Sequence, residues 1–176
     1  MGIFSFLFGE SGNTESPEPA KRPADAGRNL RAMMLSAPPE KLGASPSKEF
    51  PRVYGVLMDW PIDDQIATVF STFSGTASLY TTSTFGIIGG EGHEAVRAAA
   101  IRFVLAADRL FDSGTPTTEY PYPAAGRVRF YLLTFEGVRV VDTDLASIEN
   151  GTSEHLEFFN RGQAVLTELR LVTGRR

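Results

Sequence analysis

Apolar residues recur along this chain with two periods, near 2 in some stretches and near 3.6 in others, and the alternation lays out its elements. Val53-Tyr54-Gly55-Val56-Leu57-Met58 reads as a mostly buried strand, stopped by Trp60-Pro61 and the acidic turn Asp63-Asp64. The stretches 66–73 and 76–84 are rich in β-branched and aromatic residues. They join across Ser74-Gly75, which suits a tight hairpin. From Glu94 to Phe111 the period becomes helical: Val96, Ala99, Ala100, Phe103, Val104, Ala107, Leu110 and Phe111 form one stripe, with Arg97, Arg102, Asp108 and Arg109 largely off it. Residues 112–126 read as a loop in which Glu119-Tyr120-Pro121-Tyr122-Pro123 is held extended by its prolines. A second hairpin, 128–135 and 138–141, turns at Glu136-Gly137. Residues 154–172 predict a final helix with Phe158, Phe159, Val165, Leu166, Leu169 and Val172 inward and Gly162 as its weak spot.

These elements predict an α/β chain of the α+β kind, in the order βββαββα. The dominance of hairpins implies a largely antiparallel five-stranded sheet with both helices on one face. Ahead of it, residues 10–25 are polar and proline-rich without apolar periodicity, and such a stretch cannot offset the entropy of ordering. A short helix is expected over 28–35, where Leu30, Met33 and Met34 share a face, ended by Pro38-Pro39; residues 40–51 read as linker. The expected division is a tail, 1–50, and one globular domain, 51–176. On this reading a chain of residues 51–176 melts within a few degrees of the full chain.

Composition narrows the chemistry. A formal charge of −4 and a pI near 5.2 argue against a general nucleic-acid binder, which needs a basic face to displace counterions. With no cysteine there are no disulfides, thiol nucleophiles or thiolate metal sites, which fits a cytoplasmic protein. Lysine is confined to Lys21, Lys41 and Lys48, so residues 51–176 hold neither a Schiff-base nor a phosphate-loop lysine.

The segment Thr84-Phe85-Gly86-Ile87-Ile88-Gly89-Gly90-Glu91-Gly92-His93-Glu94-Ala95 carries the main candidate site. Glycines between a strand and a helix let the backbone turn tightly or approach a ligand or partner. Gly86, Gly89, Gly90, Glu91, Gly92, His93, Glu94 and Arg97 are therefore the candidate ligand- or partner-binding residues. Gly90 to Ala95 match G-x-G-x-x-A, but the dinucleotide motif needs a parallel βαβ unit, and the next strand here begins only near Arg127 after a long loop. Glu91 and Glu94 would repel a phosphate, whereas acids in the first turn offset the helix dipole.

His93-Glu94 begins H-E-x-x-H, yet the fifth position is Arg97, and the other histidine, His155, stands far along the chain. No G-x-S-x-G occurs. No catalytic residue, metal site or cofactor is expected.

The stretch Met1-Gly-Ile-Phe-Ser-Phe-Leu-Phe-Gly9 is intensely apolar, too short to span a bilayer, and carries Phe6 where myristoylation requires Ser or Thr. Ile3, Phe4, Phe6, Leu7 and Phe8 each contribute about 1.5–3 kcal/mol on full burial. They read as a docking peptide or shallow membrane anchor, or as a segment that folds back onto its own domain. No lysine or arginine precedes Lys21 to meet anionic lipid, which favours a protein partner over a membrane.

In outline of element order, residues 52–173 resemble small interaction modules of the roadblock/dynein-light-chain and longin type. The resemblance implies a dimerising scaffold or adaptor. Two functions follow: a non-enzymatic interaction module with a protein partner, a second copy included, or a small-molecule- or nucleotide-binding enzyme built on residues 86–95.

Overall fold

The computed structural model describes residues 25–83, 86–90 and 92–174. Its elements are α1 (Ala26–Ser36), β1 (Val53–Ile62), β2 (Gln65–Thr72), β3 (Ala77–Thr81), β4 (Gly86–Ile88), α2 (Glu94–Ala107), β5 (Thr115–Thr117), β6 (Arg127–Thr134), β7 (Gly137–Asp144), α3 (Leu145–Glu149) and α4 (Leu156–Thr173). The strands form one antiparallel sheet in the order β4-β3-β2-β1-β6-β7-β5. Antiparallel α+β architecture is as expected. The sheet, however, has seven strands rather than five. The two additional strands are three-residue edge pieces, β4 beside β3 and β5 beside β7, too short to display a period of 2.

β1 lies at the centre and is buried on both faces, so its sequence is a nearly continuous apolar run. A register shift between Val53 and Gly55 reverses the alternation. Beyond it Val56, Met58 and Trp60 face one core, and Leu57 and Asp59 face the other. Trp60-Pro61 does not stop this strand, which runs to Ile62. Pairing with β6 has ended at Asp59, so Pro61 sits where its missing N–H costs the ladder least.

α2 and α4 pack together over the first core, and the stripe read from the sequence is buried: Val96, Ala99, Ala100, Phe103, Val104 and Ala107 on α2; Phe158, Val165 and Leu169 on α4. Phe158 meets both Phe103 and Phe130 at 4.8 Å between ring centroids. Gly162 is a crossing point rather than a weak spot. A Cβ there would stand 2.5 Å from Met58 Cε and 3.1 Å from Phe103 Cζ, so a side chain at this position would have to displace the Met58 thioether and press on the Phe103 ring. Gly162→Leu should therefore destabilise by about 2–4 kcal/mol through overpacking, read as a lowered midpoint in urea at constant m-value.

The opposite face is covered by α1 and the residues after it. Leu35, Ala44, Tyr54, Leu57, Phe70, Tyr80, Tyr131 and Leu133 form this second core, with Leu30, Met34 and Leu42 against it. The helix expected over 28–35 thus forms, and its apolar face lies on the sheet. Ala44 and Phe50 are buried within the stretch read as linker.

Candidate functional site

The glycine segment resolves into two structural roles. Gly89 has φ +74° and turns the chain out of β4, while Gly90 is buried under the helix pair. A Cβ on Gly90 would lie 2.3 Å from Val96 Cγ1 and 3.0 Å from Leu169 Cδ2. Gly90→Val should cost about 1–3 kcal/mol by forcing α2 and α4 apart; unchanged melting would remove this packing account. Gly86 pairs with Tyr80 on β3, and Gly92 faces open space. His93 is the residue before α2, Glu94 lies in its first turn, and both side chains are exposed. Arg97 is also exposed and lies over Gly75 in the β2–β3 turn. Glu91 lies outside the described residues, as do Ile3, Phe4, Phe6, Leu7 and Phe8. Among the described residues no three His, Asp or Glu side chains gather as metal ligands.

A polar centre that sequence reasoning missed lies on the α1 face. Asp59 on β1 is fully buried, and Arg31 on α1 reaches it with Nη2 at 2.6 Å and Nε at 3.0 Å from Oδ2. The Thr68 hydroxyl on β2 donates to Oδ1. Arg31 Nη1 also donates to the Tyr120 carbonyl at 2.9 Å, and its guanidinium lies 4.1 Å from the centre of the Tyr122 ring. Pro121 offers its carbonyl to the Tyr131 hydroxyl and, at 3.2 Å, to Arg129 Nη1. One guanidinium therefore joins α1, β1 and the proline-rich loop.

Burial pushes the Asp59 carboxyl above the ordinary carboxylate range, opposed by the Arg31 hydrogen bonds and charge. Burial likewise raises the Tyr131 and Tyr122 hydroxyls. With Arg31, Asp59, Thr68 and Tyr131 each partnered inside the protein, this centre fastens α1 and the proline-rich loop to the sheet. Its sequence signal was a single acid, Asp59, inside an apolar strand.

A solvent-open cleft lies at the same end of β1, on the opposite, helical face. Trp60 and Ile62 form one wall, Leu145 and Ile148 of α3 a second, and Leu156 and Phe159 of α4 a third, enclosing about 400 Å³. The Trp60 and Phe159 rings meet edge-to-face at 6.4 Å. Asp144 caps α3 by accepting from the Ser147 N–H at 2.8 Å, which holds Leu145 and Ile148 in place. Ile62 keeps 43% of its surface exposed on the rim. Asn160 lines this cleft and also a second one between α2 and α4, which contains Arg102 and Arg161 beside Glu157.

No helix among the described residues is long and apolar enough to cross a membrane. Compared with protein-family models, curated proteins and solved structures, the chain finds no match.

Proposed function

We propose that this protein is a non-enzymatic interaction module that engages a protein partner through its apolar N-terminal peptide and through the cleft of Trp60, Ile62 and Phe159. The observation that carries the reading is the cleft itself. Its walls are mostly apolar, with Glu149, Asn160 and Gln163 also lining it, it is open to solvent, and Ile62 is a large aliphatic side chain 43% exposed on its rim. An apolar side chain from a partner would gain about 1.5–3 kcal/mol on entering such a site.

The test places a photo-crosslinking side chain at position 62 of the full chain in its own cells. A discrete adduct with one protein, absent when the same group stands at exposed Thr167 on α4, supports the reading. Equal, diffuse labelling from both positions would remove it.

A further inference from the structure

Resting on the reading of this cleft as a docking surface, we propose that its resident occupant is the chain's own N-terminal peptide, residues 3–8, bound within the same molecule. Docking element and docking surface are then masked together until a partner displaces the peptide.

Three observations converge. The first is apolar match. Ile3, Phe4, Phe6, Leu7 and Phe8 form a dense apolar run, and the cleft offers apolar walls from β1, α3 and α4 with room for more than one such side chain.

The second is charge order. Glu10, Glu15 and Glu18 follow the apolar run, and no lysine or arginine occurs before Lys21. The groove continues past Asn160 into the α2–α4 cleft, where Arg102 and Arg161 are found with Glu157, and onward to Arg109 with Glu154. Past Asn160 three arginines stand against two glutamates, while Glu149 lines the cleft itself, so the surplus of positive charge lies beyond the apolar end. A peptide entering with its apolar end at Trp60 would bring Glu10, the first of its acids, toward these arginines, which favours one direction of entry.

The third is reach. Residues 9–24 separate the apolar run from Asp25 at the head of α1. Extended, they span about 50–60 Å. That exceeds the width of roughly 40 Å expected for a domain of this size, enough to pass from the α1 face around the sheet to the helical face. Tethering sets an effective concentration in the millimolar range, so even a weak intrinsic affinity keeps the cleft filled.

Trp60 is the single tryptophan and lines the cleft, so its emission reports occupancy directly. The experiment compares the full wild-type chain with a full chain carrying F4S, F6S and F8S. Each is titrated with a labelled synthetic peptide of residues 2–19. Three results are expected: the triple variant emits at longer wavelength than wild type; it binds the peptide at least about tenfold more tightly, because its cleft is vacant; and adding I62D to it abolishes that binding.

Equal peptide affinity for wild type and triple variant overturns the proposal while leaving the cleft a docking surface. Equal emission with binding to neither overturns it as well, and the crosslink at position 62 then judges the cleft independently. Binding that survives I62D places the peptide elsewhere and also overturns it. A difference in emission that disappears on dilution from tens of micromolar to below one micromolar assigns the peptide to a second copy of the chain, against occupancy within one molecule.

Discussion

A chain of residues 51–176 should lose its cooperative melting transition, in contrast to the few-degree change that the sequence alone leads one to expect. Removing 25–50 takes away Leu35, Ala44 and Phe50, which are at most 8% exposed, together with the half-buried Leu30, Met34 and Leu42. It uncovers Tyr54, Leu57, Phe70, Tyr80 and Tyr131 on the second face of the sheet. Each large apolar side chain withdrawn from burial costs about 1.5–3 kcal/mol. Asp59 loses its counter-charge in the same step, at about 3–5 kcal/mol. The combined loss is comparable with the about 5–15 kcal/mol that holds an ordinary domain together. Calorimetry and near-ultraviolet circular dichroism on the truncated chain provide the check. A sharp transition close to that of the full chain would show that α1 is an ornament on a sheet that stands alone.

Asp59→Asn should be among the most damaging single substitutions, at about 3–5 kcal/mol, because it leaves the Arg31 guanidinium buried without a negative partner. For a chain of this length that lowers Tm by about 6–20 °C. Arg31→Met should cost a similar amount through the orphaned carboxylate. The double variant should recover much of the loss, giving a coupling of at least about 2 kcal/mol in a double-mutant cycle. Arg31 also holds the Tyr120 carbonyl and stacks on Tyr122, so Arg31→Met should additionally loosen residues 118–125 toward hydrogen exchange. Single costs below about 1 kcal/mol would mean that water reaches the pair and that α1 is fastened by its apolar face alone.

How much of this was legible depended on the length over which each signal could accumulate. The two long helices, the hairpins at Ser74-Gly75 and Glu136-Gly137, and the buried stripe from Val96 to Ala107 each repeat a period several times. The edge strands Gly86–Ile88 and Thr115–Thr117 are too short to establish a period, and they exist because neighbouring strands offer unpaired edges. Gly162 is legible locally only as a poor helix former; its contact with Met58 belongs to a strand distant in sequence. The same holds for the glycine segment. Composition marked Gly90 as special, and only the packing of Val96 and Leu169 around it gave the reason.

The antiparallel α+β class, the inward faces of α2 and α4, and the absence of cysteine and lysine chemistry from residues 51–176 were all readable along the chain, because each resides in local period or residue type. Residues far apart along the chain meet only in the fold. It set Arg31 against Asp59, spread α1 over the second face of the sheet, and brought Trp60, Ile148 and Phe159 around one cleft. Such meetings depend on strand order and register. A residue's own neighbours carry no record of either, because the energy that selects the arrangement is burial summed over the whole sheet.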